Sequence, residues 1–290
     1  MFDIKGYIEA ENLEQAKTYL ANNENAKIIA GGSDILVKLR EGWWDDASLV
    51  GISRIGLDQI SIDDDGAIHI GPMCTFTNIE KNAIIKEKIP YLGGAVGTIG
   101  GPQLRNVATI GGNVCNGATS ADSASTLFCL DAKLKIESAT QTKMMDIEDF
   151  YLGPSKVDLK QGEILTDIII EKASYDGYKG KYQKFAQREA MDIATIGCAI
   201  MVKASGDVIK DVKIACGVAA PTPVRCKDAE NFIKGKKATV ENIDQAAALT
   251  IQNTKARDSW RGSKAFREHL VIELTKRGIG ELCGLEMGQE

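Results

Sequence analysis

Histidine is scarce in this sequence: 290 residues supply only His69 and His269. A metal site built from near neighbours in the chain therefore has too few imidazoles. Cysteine is present, but never in a ligand spacing. Cys74, Cys115, Cys129, Cys198, Cys216, Cys226 and Cys283 are odd in number, and no two lie within four residues of each other. That excludes C-x-x-C pairs, zinc knuckles and ferredoxin-like runs on this chain, and it fits scattered free thiols in a reducing compartment. There is no basic excess either. The net charge of −5 is spread along the chain, which argues against a nucleic-acid partner. No apolar run approaches the roughly 20 residues that span a bilayer, so no membrane association is expected. Met1 to Gly6 lacks the charged and apolar segments of a secretory signal, and a cytoplasmic location is the expectation. The acidic run Asp63-Asp64-Asp65 reads as a hairpin tip, because it cannot supply the roughly six to eight oxygens of a calcium site. Two glycine signatures are missing as well. No G-x-G-x-x-G is present, and Ile35 stands where a nucleophile elbow needs its second glycine.

What is present is an ordinary globular composition, 44% hydrophobic and 26% charged, with two unusual glycine pairs about eighty residues apart. The first lies in Lys27-Ile28-Ile29-Ala30-Gly31-Gly32-Ser33-Asp34 and the second in Asn106-Val107-Ala108-Thr109-Ile110-Gly111-Gly112-Asn113. Each joins a short apolar run to a Gly-Gly step and a small polar residue. Such a step permits positive φ and close approach of a ligand to bare backbone. Its successive N–H groups can form a concave anion site, which Ser33, Thr109 and Asn113 would extend. Taken alone, either one reads as a tight turn; together they suggest a grip on a long phosphorylated cofactor.

Along the chain, Asn12-Leu13-Glu14-Gln15 has the form of a capping box opening a helix with Leu13, Ala16, Leu20 and Ala21 on one face. Lys27 to Ala30 reads as a strand, and Ile35-Leu36-Val37 as an apolar run. Residues 47–53, 58–63 and 67–71 read as further strands, with Asp65-Gly66 as a hairpin turn. Thr77-Asn78-Ile79-Glu80 resembles a second capping box, for a helix ending before Pro90. Seven glycines between Tyr91 and Asn113 disfavour regular helix there. Strands are expected at 132–137, 164–171, 182–187, 198–203 and 208–218, followed by a Pro221-Thr222-Pro223 loop. Helices near 227–235, 240–254 and 263–281 close the chain. Strands followed by helices after about residue 176 indicate an α+β domain with helices packed on a small antiparallel sheet.

These segments resemble the FAD-binding domain of the molybdenum hydroxylases, within the wider vanillyl-alcohol-oxidase-like (PCMH-type) group. The likeness is carried by the two glycine segments, by Gln103-Leu104-Arg105 before the second, and by Gly117-Ala118-Thr119-Ser120-Ala121-Asp122-Ser123-Ala124 after it. In the second half it is carried by Gln187–Ala194, by Gly217–Arg225 and by Ser259-Trp260-Arg261-Gly262-Ser263-Lys264 with Phe266-Arg267. It covers essentially the whole chain and is similar in particular to the separate FAD subunit of bacterial xanthine dehydrogenases. The resemblance implies a two-subdomain FAD-binding fold over 1–176 (about 1–56 and 57–176). A CO-dehydrogenase-flavoprotein-like domain over 177–290 would follow.

By the same resemblance, Lys27, Ile28, Ile29, Ala30, Gly31, Gly32, Ser33 and Asp34 would wrap the FAD pyrophosphate with backbone amides. Thr109, Ile110, Gly111, Gly112 and Asn113 would supply a second amide cluster, with Asn116 beside it. Asp122 would accept from cofactor hydroxyls, the backbone of Leu165 would meet the isoalloxazine, and Lys184 would lie near the flavin. Ile99 stands where the animal enzymes place a phenylalanine over the ring, which leaves apolar cover in place of aromatic stacking. Gln103, Arg105 and Asn106 match the pattern, and for Arg105 cofactor contact and subunit docking both stay open. Cys115 reads as a small packing residue. Trp43-Trp44 reads as a partner contact or local core, and Trp260 as packing.

The function implied is that of an oxidoreductase subunit. Molybdopterin on a large partner and [2Fe-2S] clusters on a small one would feed electrons to FAD on this chain, with NAD⁺ as the acceptor. The chain would carry no metal and no catalytic side chain of its own. A stand-alone flavin reductase of the UDP-N-acetylenolpyruvoylglucosamine-reductase type is the alternative, although no residue stands out as the proton donor it needs. A structural protein that kept the fold and lost the cofactor is the third reading.

Overall fold

The computed structural model describes residues 4–287; Met1 to Asp3 of the leader reading and residues 288–290 of the C-terminal domain reading lie outside it. The chain begins with β1 (Ile4–Glu9), α1 (Leu13–Asn22), β2 (Ala26–Ile29), α2 (Ile35–Arg40) and β3 (Ala47–Gly51). The three strands form a parallel sheet in the order β1-β3-β2. Helix α1 starts where expected, since Asn12 Oδ1 accepts from the Gln15 amide at 2.9 Å. Gln15 reaches back to the Glu11 amide, one residue before the position a capping box specifies. The run 35–37, read only as apolar, is the first turn of α2.

The second part holds β4 (Ile60–Ile62), β5 (Ile68–Ile70), α3 (Phe76–Lys81), α4 (Ala83–Lys88), α5 (Pro90–Gly97), α6 (Pro102–Arg105), α7 (Ile110–Asn116) and α8 (Asp122–Cys129). It continues with β6 (Lys133–Glu137), β7 (Thr142–Asp146), α9 (Ile147–Phe150), β8 (Tyr151–Gly153), β9 (Lys156–Val157), β10 (Ile164–Ile170) and α10 (Lys172–Tyr175). Five of its strands make an antiparallel sheet, β4-β5-β10-β6-β7. The expected hairpin closes with Gly66 at φ +83° and the Asp63 side chain accepting from the Ala67 amide.

Two sequence expectations fail here for identifiable reasons. The N-cap of α3 is Thr75, whose Oγ1 accepts from the Asn78 amide at 3.2 Å. Thr77 lies inside the helix and donates to Asn106 Oδ1. Asn82 then caps a separate helix α4, so the segment is two short helices. The glycine-rich stretch, expected to avoid helix, contains α5, α6 and α7. Pro90 pre-sets the first turn of α5, and Tyr91, Leu92, Ala95 and Val96 of α5 are buried. Tertiary packing overrides the low helix propensity of glycine.

The last part comprises β11 (Lys179–Phe185), β12 (Ile196–Ser205), β13 (Val208–Gly217), β14 (Val224–Arg225), α11 (Lys227–Ile233), α12 (Val240–Leu249) and α13 (Lys264–Leu282). The strands form an antiparallel sheet in sequence order. Both of its faces are covered. Ile196, Cys198, Ile200 and Val202 of β12 face the α11–α13 layer, in a cluster with Leu270, Val271 and Ile279. Ala199 and Met201, on the opposite face by the period of two, belong to the core of the preceding part with Leu127, Phe128 and Leu134. Every residue of α8 is buried, and this helix is the one wedged between the two halves.

Candidate functional site

Strand β2 delivers the chain into the first glycine turn, where Gly32 has φ +77° and α2 begins three residues later. A Cβ on Gly31 would fall 1.8 Å from the carbonyl oxygen of Val107 and 3.0 Å from the Cα of Ala108. The first turn is thus seated on the backbone that leads into the second, and the two pairs adjoin in space. On Gly111 a Cβ would fall 2.3 Å from the Pro72 Cβ and 2.7 Å from its carbonyl oxygen. Gly31 and Gly111 are required first by chain-on-chain packing, where the sequence suggested approach of a ligand.

The two turns differ in their free donors. Among the described residues, the amides of Gly31, Gly32, Ser33 and Asp34 have no protein acceptor. In the second turn the amides of Ile110 to Asn113 carry bonds within the chain. Ile110 donates to Cys74 O at 3.0 Å, Gly111 to Pro72 O at 2.9 Å, Gly112 to Thr109 Oγ1 at 3.1 Å and Asn113 to Thr109 O at 3.0 Å. Of these N–H groups, those of Ile110 and Gly111 fasten α7 to the segment 72–75, while those of Gly112 and Asn113 close its first turn on Thr109. Asn113 Oδ1 likewise accepts from Ser123.

Between the turns runs a cleft of about 570 Å³. Lys27, Ile28, Ala30, Gly31, Gly32, Ser33 and Asp34 line one wall, and Thr109, Gly111, Gly112, Asn113 and Asn116 another. Ile99 and Leu165 also face it. Four of the expected residues do not line it. Ile29 packs against Leu39, Ala47 and Leu49, and Ile110 is fully buried in the central core, so each anchors its turn from behind. Asp122 and Lys184 form a buried ion pair of 2.8 Å, the Tyr182 hydroxyl donating to Asp122 at 2.6 Å. Burial pushes the Asp122 carboxyl up, against the pull of Lys184. Lys184 also donates to the carbonyl of Thr98, the residue before Ile99. Each Asp122 oxygen accepts one bond from the protein, Oδ1 from Tyr182 and Oδ2 from Lys184, and keeps a lone pair for a further donor. Arg105 donates to the carbonyls of Ile99 and Gly100 and so braces the same wall from within.

Several cleft residues were not foreseen. Lys38 donates to Asn116 Oδ1 at 2.5 Å, linking α2 to α7, and lies 5.1 Å from the Trp43 ring. Trp44 lines the cleft, with Lys27 Nζ 5.8 Å from its ring, whereas Trp43 is half exposed. Residues 159–164 form a third wall, held by Gln161 Nε2 donating to the carbonyls of Leu20, Asn23 and Ala26. The one sequence signal for Lys38 was its place one helical turn after Asp34; the 159–164 loop carried none. Burial raises Asp34, opposed by Lys38. Burial also pushes the Cys115 thiol up to about 12, which leaves it protonated and suits packing. Among the described residues no three His, Cys, Asp or Glu side chains gather as metal ligands, and no helix is long and apolar enough to cross a membrane. The cleft offers N–H donors and ammonium groups to an anionic portion of a ligand, and Ile99, Leu104, Leu165 and Ile193 to a flat apolar portion.

The motif segments of the second half support this frame. Thr119 and Pro221 are hydrogen-bonded, as are Val218 and Thr119, so the segments 117–124 and 217–225 lie together. Arg267 donates to the carbonyl of Thr195 and to Ser259.

Comparison with known proteins agrees along the whole chain. Residues 2–173 match the FAD binding domain in molybdopterin dehydrogenase, and residues 181–282 match the CO dehydrogenase flavoprotein C-terminal domain. The chain is 39% identical over 290 residues to the xanthine dehydrogenase FAD-binding subunit of Escherichia coli O157:H7, covering 100% of this chain and 99% of that protein. It is 31% identical over 278 residues to the glyceraldehyde dehydrogenase medium chain of Sulfolobus acidocaldarius, covering 96% and 98%. Its fold matches a chain of carbon monoxide dehydrogenase from Hydrogenophaga pseudoflava with TM-score 0.91 and 25% identity, over 97% of each. The glycine-lined cleft, the domain order and these full-length similarities together show that the chain belongs to the family of FAD-binding subunits of molybdenum-hydroxylase-type dehydrogenases.

Proposed function

We propose that this chain is the FAD-carrying electron-transfer subunit of a xanthine-dehydrogenase-type complex, with a molybdenum-binding large subunit, a [2Fe-2S] small subunit and NAD⁺ as acceptor. One observation carries the reading: a cleft of about 570 Å³ joins four unengaged amides at Gly31 to Asp34 with ammonium groups and apolar walls. That donor set fits a molecule that is anionic in one portion and flat and apolar in another. FAD held in this cleft would supply the redox chemistry between the iron–sulfur partner and the nicotinamide acceptor.

The chain's own residues bind, orient and insulate. Amides of Gly31, Gly32, Ser33 and Asp34 would hold the pyrophosphate, with Lys27, Ile28 and Ala30 beside them. Thr109, Gly111, Gly112, Asn113 and Asn116 would shape the facing wall, while Ile29 and Ile110 keep both turns in place from the core. Ile99 and Leu165 would cover the ring system and exclude water from it. Asp122 and Lys184, paired and buried, would fix the segment 98–99 at the ring. The division near residue 176 would separate the cofactor domain from the domain that closes it.

The test is purification of the chain with its neighbours. Stoichiometric FAD released on denaturation, and co-purification with a molybdenum-containing subunit, are expected. A colourless protein with no flavin uptake would sink the cofactor assignment, and flavin without any larger partner would favour the stand-alone reductase.

A further inference from the structure

The second glycine turn brings no formal charge to a diphosphate, and its amides from Ile110 to Asn113 also carry bonds within the chain. The first turn offers neutral donors only. A doubly charged group drawn into a partly desolvated cleft needs a cation, or its burial is costly. We infer that Lys38 is that cation: it meets the diphosphate of the bound dinucleotide, exchanging Asn116 Oδ1 for phosphate oxygen. This rests on the FAD reading of the cleft.

Three observations support the choice. Lys38 lines the cleft beside Ser33 and Asp34. Its ammonium has three donors, and its one hydrogen-bond acceptor among the described residues is the neutral amide oxygen of Asn116. Asp34, whose carboxyl is raised by burial and drawn back down by Lys38, is the charge that competes with phosphate for this ammonium. The Trp43 ring, 5.1 Å away, helps hold the ammonium at the cleft without neutralising it. Lys27, the neighbouring cation, sits against the Trp44 ring instead and serves as the control. Engagement of Lys38 by phosphate would also release Asn116, so the link between α2 and α7 would pass through the ligand.

The experiment uses the full chain stripped of flavin, with FAD, ADP and riboflavin as probes over a salt series. Lys38→Met should weaken FAD and ADP by about tenfold to a hundredfold, the effect of losing one charge-assisted bond. It should flatten their salt dependence and leave riboflavin unchanged. Lys38→Arg should retain most of the affinity, and Lys27→Met should lose less than Lys38→Met. Unchanged FAD and ADP binding in Lys38→Met, or an equal loss for riboflavin, overturns the inference. So does a wild-type ADP affinity that ignores salt, a measurement that needs no variant to fold. Wild-type protein that takes up no FAD defeats the cofactor reading itself, a distinct outcome from wild-type uptake that Lys38→Met leaves intact.

Discussion

A methyl group added at Gly31 would stand 1.8 Å from the carbonyl oxygen of Val107, and neither partner is a flexible side chain. Gly31→Ala must therefore separate the two turns, at about 1–3 kcal/mol of overpacking, and widen the cleft they line. Lower stability in urea is expected together with loss of FAD; full flavin content at wild-type stability would contradict the contact. His69 carries a different prediction. Its Nδ1 lies 2.6 Å from Asp167 and its Nε2 3.2 Å from Asp63. Burial pulls the imidazole down, but the two carboxylates together outweigh it and leave it raised. A raised folded-state value means that the stabilisation is complete below the ordinary imidazole value of about 6.5. It is lost as pH rises through the folded value. His69→Gln should thus destabilise at about pH 6 and much less at about pH 8.5. Urea titrations of both proteins at the two pH values decide it, and an equal or larger deficit at the higher pH refutes the pairing.

Helix α8 and strand β11 meet through Asp122, Lys184 and Tyr182, and both charges are nearly sealed from water. Removing one member leaves the other charge buried, at about 3–5 kcal/mol. Lys184→Met should lose that much in denaturant unfolding, while Asp122→Leu with Lys184→Met should recover most of it. A double variant as unstable as the sum of the single ones would show that the two act separately. A second tie joins α8 to the same sheet through β14 and β13. Arg225 on β14 grips Glu230 through Nε and Nη2 and reaches the Phe128 carbonyl within α8 and Asp131 just past it. Lys213 on β13 donates to Asp131 as well. These contacts explain why Arg225, matched in sequence only as the end of a motif, is buried.

Across the molecule, the core of the cofactor-binding part includes Ala199, Met201 and Ala215 from the C-terminal sheet. The two parts are separate as sequence segments but share apolar surface. Unfolding is expected to be a single transition by both circular dichroism and tryptophan fluorescence, and residues 177–290 expressed alone should aggregate through the uncovered sheet face. Two resolved transitions, or a soluble folded fragment, would show independent units. FAD at about a hundredfold above its dissociation constant should add roughly 2.7 kcal/mol to that transition.

Local rules read from composition and spacing were enough for three strands of the C-terminal sheet, the Asp65-Gly66 hairpin and the closing helices, because period and turn chemistry act between near neighbours. The glycine pairs were visible for the same reason. Their division of labour was not. Free amides remain at Gly31 to Asp34 because α2 follows the turn without a partner strand, whereas Pro72 and Cys74 take up the amides of Gly111 and Ile110. Lys38, Trp44 and the 159–164 wall entered the cleft only through contacts that no spacing records, the Lys38–Asn116 bond spanning 78 residues. Pairing of Asp122 with Lys184, and coverage of the C-terminal sheet on both faces, likewise depended on α8 packing between the two halves. Sequence neighbours set which elements form; burial against distant chain decided which donors were left for a ligand.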